Sequence, residues 1–472
     1  MTDSVAKLKE ELKGMLEGLD VVILDRALEW ARQQYRAVVE RLDQLLLETC
    51  SSGLTAEHIR SVWYNTVLGR VRVRRRQYRD EKGGYRYPLD ELLGMEGKSH
   101  TTARVKHLAL GLACETSFRR SARILEETTA IHLSHQTVWN QLGRVADPCL
   151  ERGRREIDWF METGELPQGE GRKIAGLMLE ADGVMLSLQR ERARKAEVKV
   201  GIAYEGWKSV GRDRYATVGK TIYSDVAGTD EYWAGMTLKL QRKYDLSEAS
   251  GVVLGGDGAG WIKEGLGHFG GTFQLCRYHL NRELTYALGP DRQGVREVQG
   301  YCERGEVELA CGALTRARER AKSEQAGRID RVRSYLEANS AGLRDYRTAL
   351  GGEGRKLRRT GAMEGNVDKL VVRRMKNQGM SWKVEGIRRM LYVRFLYLEG
   401  KLKDTLNRHD KQKGLPAIPA RKARQIIDKA GVAAPHIGVP ETAMPALYGP
   451  HVSRHWVKKL KSFTRIDARG QR

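Results

Sequence analysis

The sequence has few of the features that mark secreted or membrane proteins. Only 6 of its 472 residues are cysteines, which excludes a disulfide framework in a chain of this length and favours a reducing cytosol. No apolar run approaches the roughly 18 residues of a membrane span, and the first 24 residues lack the apolar core of a signal peptide. Hydrophobic residues still make up 40%, enough for large cores. We therefore expect a cytoplasmic protein of two to four domains with no membrane partner.

Acidic residues are scarce relative to basic ones. The chain has 83 Lys and Arg against 60 Asp and Glu, a formal net charge of +23. Such an excess favours a polyanionic partner, above all nucleic acid, although a merely soluble basic protein is the alternative. The charge is uneven, because residues 1–50 carry a net charge of −3 while residues 401–472 carry +11.

Proline is also rare, and most of it lies in that basic tail, predicted as a separate segment over 401–472. Since proline interrupts helices and central strands, we expect this tail to be extended. It would suit sequence-independent phosphate contacts, with a solvated tail as the alternative. Six of the ten prolines belong to it: Pro416, Pro419, Pro435, Pro440, Pro445 and Pro450.

Residues 1–60 are predicted to be helical, because apolar residues recur there in steps of four and three. This spacing is typical of a coiled-coil seam, but packing against the chain's own body explains it equally well. The seam consists of Leu24, Leu28, Ala31, Tyr35, Val38, Leu42 and Leu45.

The following segment, 61–100, is predicted to form a basic β structure. Within 67–78, arginines at 70, 72, 74 and 76 alternate with residues 71, 73 and 75, which indicates a strand with a cationic face. It is either a phosphate-facing hairpin or an exposed edge strand.

Residues 101–165 contain two short helical patterns that suggest a helix-turn-helix. The first covers 117–125, and Ser134 can cap a second over 135–142. An ordinary helical hairpin is the alternative. If the motif binds DNA, the phosphate contacts come from Arg119, Arg120 and Arg123, and the base contacts from Gln136, Thr137 and Asn140.

Residues 170–400 have the pattern of a mixed α/β domain. Strands are predicted over 174–188, 197–204, 215–223, 251–256 and 272–275, with a helix over 229–244. Asp182 interrupts the first apolar strand, and Asp257 directly follows the fourth. A buried carboxylate is costly unless it is paired or binds a metal, and carboxylate oxygens suit Mg²⁺ and Mn²⁺. Turn or cap residues are the alternative for each, and Glu180 competes with Asp182 because it shares its strand face.

A third carboxylate, Glu364, lies in the first turn of a helix predicted to continue to about residue 375. Helix capping explains it equally well. From 353 to 376 the chain carries a net charge of +5, which suits a metal site that must admit a nucleic-acid phosphate. Arg373, Arg374 and Lys376 are the candidate DNA contacts of this helix.

These residues, in this order, resemble bacterial DDE transposases of the ISLre insertion-sequence group, which is related to Mutator-like transposases. The resemblance rests on Asp182, Asp257 and Glu364, which are 75 and 107 residues apart, and on Cys276 and His279, which match a Cys-x-x-His signature. It is carried by 108–142, 179–189, 253–280 and 360–382, and more weakly by most of the chain.

The resemblance implies a ribonuclease-H-like mixed sheet with a helical insertion at about 283–358. It also implies that Asp182, Asp257 and Glu364 bind two Mg²⁺ or Mn²⁺ ions and cut and join DNA. The expected partners are double-stranded DNA, as terminal inverted repeats and target, and further copies of the chain in a homo-oligomer, in a bacterial, nucleoid-associated setting.

Several alternatives stay open. Cys276 and His279 could bind zinc with Cys302 and Cys311, but the eight residues between the last two are too loose a spacing for a ligand pair. The favoured role for Cys276 and His279 is helix packing at the edge of the active site, with His279 near the DNA. A DNA-binding regulator or decayed transposase without catalysis, and a nuclease that hydrolyses without joining, fit the same sequence.

Overall fold

The computed structural model describes residues 18–49, 53–95, 100–174, 176–212, 214–245, 251–349, 358–377 and 379–409, with positions 10, 13 and 14. The chain divides into two units: the first holds 1–105 and 129–132, the second 106–128 and 133–408. No helix of the described residues is long and apolar enough to cross a membrane. The predicted basic tail lies outside the described residues from position 410 onward.

The first unit is a β-hairpin covered by a long helix. It contains helix α1 (Leu19–Thr49), strands β1 (Leu54–Thr66), β2 (Gly69–Asp80) and β3 (Tyr85–Arg86), and helix α2 (Pro88–Leu92). β1 and β2 are antiparallel. The predicted cationic strand is confirmed as β2, since Arg70, Arg72 and Arg74 are exposed while Val71 and Val73 are buried.

Helix α1 packs its C-terminal half on this hairpin, where Val39 and Leu46 join a core with Val71 and Val73. Its polar side chains also bond to the backbone at the edge of β2. For example, Arg36 Nε donates to the Arg72 carbonyl at 2.8 Å, and Glu40 and Asp43 accept from the amides of residues 74 and 76. Because the edge is covered by the helix, it is protected from pairing with another strand. Packing against the chain's own body thus accounts for the C-terminal part of the predicted coiled-coil seam. At the other end of that seam, Leu24 is 58% exposed.

The second unit is mixed α/β around an open six-stranded sheet. Its strands are β5 (Gly176–Leu188), β6 (Lys195–Tyr204), β9 (Thr221–Asp225), β11 (Gly251–Gly256), β12 (Thr272–Leu275) and β13 (Ser381–Trp382). Five of them follow the order β12-β11-β5-β6-β9, and β13 pairs with β5. β5, β11 and β12 are mutually parallel, while β6 is antiparallel to both β5 and β9. Outside it lie β4 (Arg172–Lys173) with β10 (Tyr244–Asp245), and β7 (Gly206–Gly211) with β8 (Arg214–Val218).

The stretch predicted as one strand over 215–223 is two strands, β8 and β9, and that prediction was wrong. Gly219 separates them with a φ of +65°, a left-handed conformation that favours glycine. A Cβ there would also lie 1.7 Å from Glu205 Oε1. The chain therefore turns at Gly219, so β8 pairs with β7 and β9 pairs with β6.

Helices surround the sheet, and between β12 and residue 349 the described chain is mainly helical. Those that precede β12 are α3 (Ala103–Glu115), α4 (Phe118–Thr128), α5 (His135–Thr163), α6 (Thr229–Gln241), α7 (Gly260–Lys263) and α8 (Gly265–Phe269). Those that follow are α9 (Arg277–Leu288), α10 (Arg292–Arg304), α11 (Val307–Glu319), α12 (Ser323–Ala338), α13 (Tyr346–Ala349), α14 (Met363–Val367), α15 (Val384–Leu398) and α16 (Leu402–His409). A 3₁₀ turn covers Ser340–Gly342, and α14 continues as a π-helix over Asp368–Lys376.

The two helices of the proposed helix-turn-helix are present as α4 and α5. Ser134 caps α5 as predicted, its Oγ accepting from the Thr137 amide at 3.1 Å. However, α5 has 29 residues, so the short second helix expected over 135–142 is only its first quarter. Six residues connect the helices, more than the three or four of a typical helix-turn-helix turn. The helices are confirmed, and the motif is not.

Candidate metal and nucleic-acid site

The sheet brings the first two predicted carboxylates to neighbouring strands. Glu180 on β5 lies opposite Gly255 on β11. Asp182 and Asp257 each follow that pair by two residues, so they lie beside each other, Asp182 within β5 and Asp257 directly after the end of β11. Directly after Asp257, Gly258 adopts a φ of +94°, and the chain turns away from the sheet.

Helix α14 brings Glu364 to the same place. Asp182, Glu364, Cys276 and His279 line one narrow cleft. Burial raises the pKa of Asp182, and repulsion from Asp257 and Glu364 raises it further, while His279 and the Gly183 amide act in the opposite direction. The three carboxylates are thus close enough to interact.

These carboxylates have few partners. Asp182 Oδ1 accepts from the adjacent Gly183 amide at 2.8 Å, and Asp257 Oδ1 accepts from the Ala259 amide at 2.9 Å. Glu364 Oε1 lies 3.6 Å from the Cys276 sulfur. Among the described residues none of the three carboxylates forms an ion pair with a lysine or arginine. Three mutually repelling carboxylates without a cation are a donor set that fits hard divalent ions such as Mg²⁺ or Mn²⁺.

Glu180, the competitor of Asp182, has a different environment. It is only 4% exposed, and Tyr204 donates its hydroxyl to Oε1 at 2.5 Å. The amides of Gly361, Ala362 and Met363 also donate to its carboxylate at 3.0–3.3 Å. Glu180 therefore holds the start of α14, the helix that carries Glu364, and its oxygens are already occupied by hydrogen bonds.

Cys276 and His279 lie at the first turn of α9. Cys276 precedes the helix, and its amide donates to the Gly256 carbonyl at 2.7 Å, next to Asp257. Burial raises the pKa of its thiol to about 12. Ligand atoms of Cys276, His279 and Glu364 lie within 4.8 Å of one another, and among the described residues they form a possible metal-binding group without Cys302 or Cys311. The four-ligand zinc site considered from the sequence is therefore not formed.

A second cleft, missed in the sequence, adjoins the first. His279 lines both clefts, and Asp257 lines the second together with arginines of α9 and α12. Arg282 pairs with Glu283, and Arg328 with Glu324, whereas Arg331 is exposed. Tyr335 donates its hydroxyl to the Asp257 carbonyl at 2.6 Å. The sequence did not identify Arg282, Arg328, Arg331 and Tyr335, because they lie on helices and no local pattern links those helices to Asp257.

The predicted DNA contacts of the second unit have mixed positions. Arg119, Arg120, Arg123, Gln136 and Asn140 are exposed. Gln136 donates to Asn140 at 3.0 Å, and the half-buried Thr137 shares its hydroxyl with the cap residue Ser134.

In the π-helix, Arg373 and Lys376 are exposed, but the prediction for Arg374 was wrong. Arg374 is only 2% exposed, and its Nε donates to the Ala113 carbonyl at 2.6 Å. Its guanidinium also lies over the rings of Phe118 and Trp382. Burial lowers its pKa to about 10. Arg374 stabilises the packing of the π-helix and is closed to a DNA phosphate.

The second unit thus has a mixed α/β fold with a carboxylate cluster where the pairing of its parallel strands ends. A family model matches residues 10–412, and the chain belongs to this family, UPF0236, an uncharacterised protein family. The expected membership of the ISLre transposase group is corrected by this finding, since neither the family nor these relatives carry a transposase name.

The relatives are distant but match most of the chain. The "UPF0236 protein in vanSb 3'region" of Streptococcus gallolyticus is 26% identical over 370 residues, 75% of this chain and 77% of that protein. UPF0236 protein TTE2489 of Caldanaerobacter subterraneus subsp. tengcongensis is 25% identical over 414 residues, 85% of this chain and 79% of that protein. Another relative from that organism is 24% identical over 414 residues, which are 85% of this chain and 78% of that protein. Its name joins eleven designations from TTE0033 to TTE2212.

Proposed function

We propose that this protein is a DDE-type transposase that binds the inverted repeats at the ends of an insertion sequence and cleaves and joins DNA in a metal-dependent reaction. The observation that carries the proposal is the set of three carboxylates, Asp182, Asp257 and Glu364, which are close enough to interact and have no lysine or arginine partner among the described residues. A purely structural cluster of this kind would be destabilising, because like charges repel and burial disfavours them.

The strand arrangement supports a ribonuclease-H-like fold for the second unit. Its first long strand, β5, is central, with antiparallel β6 on one side and parallel β11 on the other. In such a fold the first acidic residue lies on the first strand, the second follows the fourth strand, and the third lies on a later helix. Asp182 on β5, Asp257 directly after β11 and Glu364 on α14 would fill these three roles.

The same three residues would hold the metal, as one or two Mg²⁺ or Mn²⁺ ions. A bound ion would supply Lewis-acid stabilisation for the attacking and leaving oxygens of a phosphodiester. The protein's own contribution is to fix the ligands: the Gly183 amide orients Asp182, the Ala259 amide orients Asp257, and Glu180 anchors the helix of Glu364.

Exposed arginines support double-stranded DNA as the substrate. In the second unit, Arg331 lines the cleft of Asp257, where a phosphate could approach the carboxylates. In the first unit, Arg72 and Arg74 form the exposed row of β2, and Arg70 lies 5.1 Å from the ring of the exposed Trp63. The exposed side chains of α4 and α5 are the proposed helix-turn-helix contacts. The relative whose name joins eleven designations also supports the proposal, since a mobile element is expected to occur in repeated copies.

The test uses the full chain, Mg²⁺ or Mn²⁺, and a linear duplex that carries the DNA flanking the coding sequence. Replacing Asp182, Asp257 or Glu364 with Ala should lower cleavage by about 10³-fold or more, because a metal ion supplies several kcal/mol of transition-state stabilisation. DNA affinity should stay nearly unchanged. Glu162→Ala, which changes an exposed carboxylate at the end of α5, should cleave as the wild type does.

The outcomes separate the rival functions. Full strand transfer by the Asp257→Ala protein would exclude this carboxylate from the reaction. Binding without cleavage in the wild type would leave a DNA-binding regulator or a decayed transposase. Cleavage without joined products would leave a hydrolytic nuclease.

A further inference from the structure

We propose that Cys276, His279 and Glu364 bind one Zn²⁺ ion at a site that shares Glu364 with the carboxylate set. The three residues offer a sulfur, a nitrogen and an oxygen, all within 4.8 Å of one another. Thiolate and imidazole ligands favour zinc, whereas Mg²⁺ takes oxygen ligands almost exclusively. The proposed site therefore differs in chemistry from the Mg²⁺ site that it adjoins.

The distance between the sulfur and the carboxylate oxygen fits tetrahedral zinc. Zn–S and Zn–O bonds of about 2.3 and 2.1 Å at a tetrahedral angle place sulfur and oxygen about 3.6 Å apart. Cys276 Sγ and Glu364 Oε1 are 3.6 Å apart. A thiol that donates a hydrogen bond to the carboxylate gives the same separation, so this distance alone does not identify the ligand.

His279 provides the second, independent observation. Its Nδ1 is buried and has no hydrogen-bond partner among the described residues. A buried imidazole nitrogen without a partner is costly, because it has lost its water and gained nothing in return. Since His279 lines the cleft with Cys276 and Glu364, a bound ion would remove this cost.

The thiol of Cys276 needs the metal in order to ionise. Cys276 lies directly before α9, and burial raises the pKa of its thiol more than the amides of Tyr278 and His279 lower it. A metal ion deprotonates a thiol that coordinates it. On binding, the Cys276 thiol would lose its proton to solvent, and the thiolate would donate an electron pair to Zn²⁺ without any change of oxidation state.

Sharing Glu364 has a functional consequence that rests on the proposed function. While Zn²⁺ holds Glu364, this carboxylate is lost to the Mg²⁺ set, so Zn²⁺ should inhibit cleavage and excess Mg²⁺ should only partly restore it. The site itself does not depend on that function, because zinc binding can be measured without DNA.

The experiment titrates the reduced full-length protein with Co²⁺ and then Zn²⁺. Thiolate ligation should give a sulfur-to-cobalt charge-transfer band in the near ultraviolet, which one equivalent of Zn²⁺ abolishes and Mg²⁺ does not. Cys276→Ser should remove the band and weaken Zn²⁺ binding by about 100-fold or more, since even the loss of an outer-shell partner costs about 10- to 100-fold. Cys311→Ser, a change outside the group, should keep both.

Glu364→Gln provides a second variant in case Cys276→Ser fails to fold, which circular dichroism would reveal. It should keep the thiolate band but lower the affinity for Zn²⁺. Absence of the band in wild-type protein, or its persistence in folded Cys276→Ser, would overturn the zinc site. Absence of cleavage in zinc-free wild-type protein would instead overturn the proposed function, whatever the result with cobalt.

Discussion

Two aspartates of this protein, the buried Asp90 of the first unit and the half-buried Asp182 of the second, have contrasting surroundings. Asp90 in the first unit is 5% exposed and accepts from the Tyr64 hydroxyl at 2.6 Å. Arg75 Nε lies 2.9 Å and His100 Nδ1 3.5 Å from its carboxylate. Asp182 in the second unit accepts from its neighbouring Gly183 amide; the charge of His279 favours its ionised form, and the charges of Asp257 and Glu364 oppose it.

The difference is the one expected between a structural carboxylate and the metal-binding carboxylate that we propose. Burial raises the pKa of both aspartates, but around Asp90 the hydrogen bond from Tyr64 and the charge of Arg75 counteract it. Around Asp182, His279 and the Gly183 amide counteract burial, but the charges of Asp257 and Glu364 add to its effect. Asp90 is paired with an arginine, whereas Asp182 faces two carboxylates and has no lysine or arginine partner among the described residues, which supports its proposed role as a metal ligand.

The comparison predicts opposite effects of the same substitution. Asp90→Asn should lower the free energy of unfolding of the first unit by about 3–5 kcal/mol, because it leaves the buried Arg75 without its counter-charge. Asp182→Asn should leave the second unit equally or more stable, because it relieves repulsion. Amide hydrogen exchange with increasing denaturant can follow both units in one protein. Equal losses in the two variants would contradict the distinction.

A smaller effect is expected for Glu180, which lies two residues from Asp182 on β5. Glu180→Gln should lower the free energy of unfolding by about 1–3 kcal/mol, because one of its two acceptor oxygens becomes a donor and leaves an amide of α14 unpaired. Cleavage should fall far less than in Asp182→Asn. The same assays measure both effects, and Glu197→Gln on β6 is the control. Loss of cleavage equal to that of Asp182→Asn would make Glu180 a member of the carboxylate set.

The sequence was sufficient for much of this arrangement. Its apolar runs indicated most strands of the sheet, and the resemblance to DDE transposases implied that Asp182, Asp257 and Glu364 share a site. The cationic strand β2 was equally visible, because alternation of arginine and valine has only one simple structural explanation.

The remainder depends on contacts between distant parts of the chain. The role of Glu180 depends on Tyr204 and on amides about 180 residues away, which no local pattern reveals. Arg374 and Arg373 look alike in the sequence, yet only Arg374 meets the Ala113 carbonyl and two aromatic rings. Whether a charged residue has a hydrogen-bond or ion-pair partner depends on the tertiary structure, and this property distinguished the carboxylates and arginines compared here.

The smallest predicted effect concerns His100, which faces Asp90, Arg75 and the ring of Tyr64. Burial lowers its pKa, with Arg75 acting in the same direction and Asp90 against it. As the pH falls below about 6.5, the unfolded chain takes up a proton that the folded chain does not. The free energy of unfolding of the first unit should therefore decrease between pH 6.5 and 5, by at most about 1.4 kcal/mol per pH unit. His100→Gln should flatten this slope, whereas His58→Gln, at an exposed position of β1, should leave it unchanged. An unchanged slope in His100→Gln would show that His100 is not the group whose protonation lowers the stability of the first unit.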